Sequence, residues 1–173
     1  TGGVHVLPAL QGLGTPHADP DRTARIEGLS RGTRPAHVAR AAFEAVAFRI
    51  REVVETLYAA GARDFLVWRV PNVALTPAIR TLGPGAGQLA TALTMGFNTG
   101  LDSVVTQLSV LPEIRIARLD AYRMLNDLVL NPAAFGLTNV TTACVTPNIP
   151  PFTCGRPDEF LFWDGIHPTK AVH

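Results

Sequence analysis

Apolar residues recur at helical spacing in three segments of the chain. This pattern predicts long helices over about residues 33–60 and 87–110, and a shorter helix over 121–130. Thr33 is the expected N-cap of the first helix, and Gly61 is expected to end it. The apolar face of that helix would comprise Val38, Ala41, Ala42, Ala45, Phe48, Ile50, Val53, Val54 and Leu57.

Short apolar runs between these helices predict strands. Trp68 and Trp163 flank two of the runs and are expected in the core, whereas residues 131–159 are expected to form loop. Strands that alternate with helices of these lengths indicate an α/β fold with a mainly parallel sheet. The runs cover residues 4–7, 26–29, 64–70, 114–119 and 160–163.

Composition and charge narrow the class of protein. The chain has 173 residues, 47% of them hydrophobic and 17% charged, which indicates one globular domain or two half-size units. The net charge is +1 and no Lys/Arg block stands out, so a nucleic-acid partner is not expected. Charged or amide residues interrupt every apolar stretch before membrane-spanning length, so no membrane partner is expected either.

The N-terminus begins Thr-Gly-Gly-Val-His, without an initiator Met or the basic-then-apolar pattern of a signal peptide. We therefore expect a soluble fragment or processed chain, and the sequence leaves its compartment open. Cys144 and Cys154 lie ten residues apart, a spacing that suits either a small disulfide loop or two reduced thiols. A disulfide would indicate an oxidising compartment.

A short motif near the C-terminus carries the most specific candidate chemistry. In Asp164-Gly165-Ile166-His167, a carboxylate precedes an imidazole by three residues. An Asp at that distance can hold one imidazole nitrogen and leave the other free to take a proton. We therefore expect His167 to act as a general base that Asp164 orients.

The C-terminal two thirds of the chain, about residues 57–173, resemble the second half of GDSL (SGNH) esterases and lipases. The resemblance rests on the run Phe-Trp-Asp-Gly-Ile-His-Pro-Thr at 162–169, and on the runs at 60–67 and 75–80. It implies that Asp164 and His167 are the acid and the histidine of a Ser-His-Asp arrangement. The family's N-terminal blocks have no counterpart in this sequence, so we do not expect an inherited Ser nucleophile or the Gly and Asn of an oxyanion hole.

The first third of the chain, about residues 1–58, resembles the C-terminal domain of FGGY carbohydrate kinases, close to the glycerol and xylulose kinases. The run from Ala24 to Glu44, which includes Gly-Leu-Ser-Arg-Gly-Thr at 28–33, fits the family's C-terminal signature. Ala18 departs from it, because an aromatic residue is usual there. The kinase's catalytic aspartate and phosphate-binding segments lie outside the resemblance, so kinase activity is not expected.

The two resemblances meet inside the first long helix. We therefore expect a chimera of a kinase-like fragment, residues 1–58, and a hydrolase-like fragment, residues 59–173, merged into one globular unit. Its fold would be α/β, with a mainly parallel sheet built from two half-domains joined through one long shared helix. Each half has lost the partner that covered its sheet edges and apolar faces, so a homo-oligomer, most simply a two-fold dimer, is expected.

Other polar residues offer further candidate sites. Ser30 and Thr33 precede a helix and would either stabilise an anion or serve as ordinary caps. Arg69 lies at the end of a predicted strand, where it would pair with an acid, meet an anionic group or remain on the surface.

The segment His17-Ala18-Asp19-Pro20-Asp21 brings three possible metal ligands within five residues. Together with His5 or His167 they would build a hydrolytic metal site, although such turns are commonly solvated loops. The leading hypothesis is a promiscuous hydrolase of activated esters or phosphoesters that needs no cofactor. The alternatives are a hydrolase dependent on a divalent metal at this loop, and a folded recombination product without catalysis.

Overall fold

The computed structural model describes residues 2–146, 149–150 and 152–172, and it is an α/β protein of helices and small sheets. No helix in this described part is long and apolar enough to cross a bilayer. Short 3-10 segments lie at 73–75, 132–135, 157–159 and 170–172. The elements are β1 (His5–Leu7), β2 (Arg25–Glu27), α1 (Pro35–Ala59), β3 (Asp64–Trp68), α2 (Pro77–Arg80), α3 (Pro84–Leu108), β4 (Arg115–Leu119), α4 (Ala121–Leu130), β5 (Asn139–Ala143) and β6 (Phe160–Phe162).

Helix α1 agrees with the predicted helix except at its first residue. Arg34, not Thr33, is the N-cap, with extended backbone at φ −116° and ψ 156°. The Thr33 side chain belongs to the preceding turn instead, because its Oγ1 accepts a hydrogen bond from the Ser30 N–H at 2.8 Å. Helix α3 begins at Pro84, three residues before the predicted start, since proline fits the first turn of a helix.

The strands pair two by two, in place of the larger sheet that the pattern predicted. Strands β1 and β2 are antiparallel, with Val6 opposite Ile26, and β5 and β6 are parallel, with Asn139 opposite Phe160. Strand β3 pairs with β4. The prediction of loop throughout residues 131–159 was wrong, because β5 lies within it. The sequence of β5, Asn-Val-Thr-Thr-Ala, has little apolar content, so its pairing with β6 identifies it as a strand.

The first compact unit comprises the residues up to Val67 together with Gly96–Arg118. Its core forms where the buried side of α1 meets the second half of α3. Phe65 of β3 and Ile116 of β4 pack against this cluster, so the helices cover one face of these strands. The buried cluster consists of Ala47, Val54, Val104 and Leu108.

The second compact unit comprises Trp68–Met95 and the residues from Leu119 onward. Its core is built on β6, where Leu161 is fully buried and Phe162 is 2% exposed. Leu137 completes the buried cluster, and partly buried side chains of α4 and β5 surround it. These side chains are Leu125, Leu128, Val129 and Val140.

Three aromatic residues lie outside the cores where they were predicted. Phe48 is 59% exposed, because the small residues Ala45 and Ala47 form the buried side of α1 in its place. Trp68 is 60% exposed, since alternate residues of β3 point to opposite faces and Trp68 shares the exposed face of the strand. Trp163 is 39% exposed because it follows the buried Phe162 in an extended segment.

The second unit depends on Leu161 for its packing, so we expect Leu161→Ala to lower the free energy of unfolding by about 2–5 kcal/mol. Leu130→Ala is the matched control, because Leu130 is 73% exposed. It should change the free energy by no more than about 0.5 kcal/mol. Urea unfolding followed by circular dichroism measures both, and equal midpoints for the two variants would contradict this description of the core.

Candidate active site

The turn that follows β6 places Asp164 and His167 on the surface of the second unit. The Trp163 N–H donates to the His167 carbonyl at 2.8 Å, which closes the turn. The Thr169 N–H then donates to the Leu161 carbonyl at 3.0 Å, so the chain returns along the strand that it has just left. One end of the turn is therefore held by Leu161 in β6, and the other by Trp163 directly after it.

The carboxylate of Asp164 organises the inside of this turn. Its Oδ1 accepts hydrogen bonds from the backbone N–H groups of Ile166 and His167, both at 2.8 Å. Its Oδ2 lies 2.8 Å from Nδ1 of the His167 ring. The Asp164 side chain is 28% exposed and that of His167 is 74% exposed. A carboxylate that accepts from Nδ1–H leaves Nε2 of a neutral imidazole as the proton acceptor.

The electrostatics of Asp164 favour its ionised form. Burial by itself would raise the pKa of this carboxyl group, but the hydrogen bonds from the His167 and Ile166 N–H groups and from the His167 ring oppose it. The result is a pKa below its usual value. Asp164 is therefore a carboxylate at neutral pH and can stabilise a positive charge on the imidazole.

A disulfide lies beside the backbone that leads into the turn of Asp164 and His167. Cys144 and Cys154 are bonded, so the structure has the first of the two alternatives that their spacing left open. The Cys144 N–H donates to the Phe162 carbonyl at 3.0 Å, and the Val145 N–H donates to the Trp163 carbonyl at 2.8 Å. The two residues that directly follow β5 therefore support the backbone that leads into Asp164.

Arg69 lies in the same compact unit and forms an ion pair. Its Nη1 is 3.1 Å from Oδ2 of Asp120. Asp120 also caps α4, because its Oδ1 accepts from the Arg123 N–H at 3.0 Å. Pairing with an acid is among the roles that the sequence left open for Arg69, and the structure has this pairing.

Ser30 and Thr33 belong to the first unit, and their side chains accept hydrogen bonds from backbone N–H groups of the turn before α1. The Ser30 N–H donates to Oγ1 of Thr33, and the Gly32 N–H donates to Oγ of Ser30 at 3.3 Å. Both side chains therefore satisfy local backbone donors ahead of α1. Neither bond is to an N–H of the helix, so the two side chains stabilise the turn and do not cap α1. Anion binding at these residues remains a prediction.

The His17 loop is anchored to α1 by a residue that the sequence analysis missed. Nε2 of His17 lies 2.5 Å from Oε1 of Glu52, and Arg49 bonds to the other oxygen of that carboxylate. Asp19 accepts a hydrogen bond from the Asp21 N–H at 3.2 Å. Within residues 2–146, 149–150 and 152–172, no three His, Cys, Asp or Glu side chains are arranged to hold a metal ion.

Comparisons with known proteins match different parts of the chain. Residues 1–72 match the FGGY family of carbohydrate kinases, C-terminal domain. Glycerol kinase of Alkalilimnicola ehrlichii is 52% identical over 54 residues, which cover 31% of this chain and 11% of that enzyme.

The second set of similar proteins comprises GDSL esterase/lipases of Arabidopsis thaliana. One is 30% identical over 141 residues, covering 72% of this chain and 38% of the relative. Another is 30% identical over 129 residues, covering 68% of this chain and 34% of the relative. The chain thus spans little more than a third of the length of these esterases. It is a chimera in which a segment similar to the C-terminal domain of FGGY carbohydrate kinases is joined to a segment similar to GDSL esterases and lipases.

Proposed function

We propose that the chain is an ester hydrolase in which His167, held by Asp164, acts as the general base. The contact of 2.8 Å between Asp164 Oδ2 and His167 Nδ1 carries this proposal, because it presents Nε2 as the proton acceptor. Similarity to GDSL esterase/lipases supports the class of reaction. The FGGY-like segment contributes to the fold and has no catalytic role in this proposal.

The proposed reaction moves one proton in each direction. His167 Nε2 takes a proton from a water molecule or hydroxyl group as that oxygen attacks the ester carbonyl. The Asp164 carboxylate stabilises the imidazolium that forms and remains ionised throughout. The imidazolium then returns the proton to the leaving oxygen as the carbon–oxygen bond of the ester breaks. Where the attacking oxygen is a hydroxyl group of the chain, a water molecule then hydrolyses the acyl ester by the same two proton transfers.

The exposure of His167 supports a broad preference for activated substrates. With 74% of its side chain exposed, the imidazole is accessible to substrates of many shapes. A side chain with this exposure has few contacts with the described residues, so we expect weak discrimination between substrates. Activated esters and phosphoesters have good leaving groups, so they react with modest help from a general base.

We place the junction of the two fragments inside α1, near residues 53–60. Ala47 from the kinase-like side and Val54 near the junction share one buried cluster with Val104 and Leu108 from the hydrolase-like side. An amphipathic helix tolerates such a junction because its apolar face continues across it. The fragments 1–58 and 59–173 are therefore segments of sequence that fold into a shared core.

The first test of this function compares His167→Gln with wild type on 4-nitrophenyl acetate. We expect kcat/KM to fall by about 10²- to 10⁴-fold, the usual contribution of a general base. His5→Gln is the matched control, because His5 is exposed on β1 in the first unit. Equal rates for wild type and His167→Gln would overturn the proposed function.

A chelator distinguishes this mechanism from a metal-dependent one. We expect the rate to be unchanged after dialysis against EDTA, since no step of the proposed reaction passes through a metal. Loss of hydrolysis after dialysis, with recovery on adding a divalent metal, would indicate a metal-dependent reaction instead. The residues to substitute first would then be His17, Asp19 and Asp21.

The lowered pKa of Asp164 makes a second prediction, about stability in acid. Because the folded pKa lies below the unfolded value, the ionised group stabilises the fold above about pH 4, and that stabilisation is lost as the pH falls through the folded pKa. Asp164→Asn should therefore lower the free energy of unfolding at pH 7, and the difference from wild type should shrink toward pH 2. Asp158→Asn, at an exposed carboxylate, is the control for urea unfolding across this range. A difference that does not change with pH would contradict the assignment.

We also propose that the chain forms a homodimer. Leu66, in the middle of β3, is 61% exposed, and β3 pairs with β4 alone in the described part of the chain. Exposed apolar side chains on a short sheet favour association. Light scattering at micromolar concentration should give twice the 18.5 kDa mass of one chain. A monodisperse monomer would refute this proposal.

A further inference from the structure

A backbone hydrogen bond joins α2 to the turn that carries Asp164 and His167. The Ala78 N–H donates to the Gly165 carbonyl at 2.9 Å. Ala78 lies in the first turn of α2, where an N–H has no acceptor within the helix. The Gly165 carbonyl supplies that acceptor, although 87 residues separate the two in sequence.

The same peptide group is held on its opposite side by Asp164. The Gly165 carbonyl and the Ile166 N–H belong to one planar unit, so fixing one fixes the direction of the other. The carbonyl accepts from Ala78, while the N–H donates to Asp164 Oδ1 at 2.8 Å. The contact with α2 therefore sets the position of a donor that orients the Asp164 carboxylate.

Close packing accompanies this hydrogen bond. A Cβ atom built on Gly165 would lie 3.4 Å from Ala78 Cβ and 3.9 Å from Ala78 N. A methyl group fits at that distance, and we expect the branches of a larger side chain to crowd α2. Gly165 does not adopt a positive φ, so packing, and not backbone conformation, requires a small residue here.

Helix α2 is itself anchored, so it can act as a support. Thr76, its N-cap, is 6% exposed, and its Oγ1 donates to the Val73 carbonyl at 2.7 Å. Pro77 is buried at the first helical position. The Arg80 N–H closes the turn by donating to the Thr76 carbonyl at 3.0 Å.

We propose that Ala78 and Gly165 are positioning residues for the Asp164–His167 pair. Their contact fixes the Gly165–Ile166 peptide, and the N–H of that peptide orients the Asp164 carboxylate. The carboxylate then holds Nδ1 of His167. The catalytic consequence rests on the proposed function, whereas the geometric consequence is measurable without any activity.

Variants that enlarge the side chain at residue 165 and reduce it at residue 78 test this contact. Gly165→Val should displace the turn and change the two imidazole nitrogen chemical shifts of His167, which report its tautomer in ¹⁵N NMR. Adding Ala78→Gly to that variant makes room opposite the new side chain and should return the shifts toward wild-type values. Gly165→Ala is the control and should resemble wild type, since a methyl group fits. Ala78→Val, which crowds the contact from the other side, is the second route if Gly165→Val fails to fold in urea titrations.

Kinetics provide the second readout. Gly165→Val should lower kcat by about tenfold to a hundredfold with KM unchanged, because the base is misplaced while substrate access is kept. The double variant should recover most of kcat. His167 nitrogen shifts that stay at wild-type values in both crowded variants would overturn the inference, as would a double variant that recovers neither shifts nor kcat.

The two proposals fail in different ways. If His167→Gln leaves the hydrolysis rate unchanged, the proposed function is wrong, yet the NMR shifts still report on the contact with α2. If the shifts do not respond while His167→Gln abolishes hydrolysis, the function stands and the positioning role of Ala78 and Gly165 is wrong.

Discussion

The carboxylate of Asp164 accepts two backbone hydrogen bonds and contacts one imidazole nitrogen within a turn of four residues. These contacts have two structural effects. Those to the Ile166 and His167 N–H groups give the turn its shape, and the contact to Nδ1 fixes the ring. Because one side chain makes both kinds of contact, we expect the shape of the turn and the tautomer of His167 to change together. This carboxylate therefore links the backbone of the turn to the imidazole ring.

The rest of the second unit holds that turn in place. Leu161 and Phe162 are buried immediately before it, and the N–H of Cys144, the residue after β5, donates to the Phe162 carbonyl. On another side the turn meets α2 through Ala78. The Asp164–His167 pair is thus oriented by contacts that all lie within the second unit.

Sequence patterns predicted the local features well and the long-range ones poorly. Helix α4 begins and ends as its periodicity and Pro132 indicated, and three-residue spacing was enough to pair Asp164 with His167. The partners of His17 and Gly165 lie 35 and 87 residues away, and no local pattern marks Glu52 or Ala78. Strand β5 was missed for the same reason, because a polar run becomes a strand through its neighbour β6. Predicted burial failed at aromatic residues such as Trp68, where the covered face depends on which elements pack against the strand.

The tautomer of His167 shows most directly whether Asp164 holds Nδ1 of the ring. The measurement is the pair of imidazole ¹⁵N shifts of neutral His167 in wild type and in Asp164→Asn. We expect a proton on Nδ1 in wild type and a mixture of the two tautomers, with a substantial share on Nε2, in the variant. The same mixture in both proteins would contradict this prediction, because the Asp164 carboxylate would then not orient the ring.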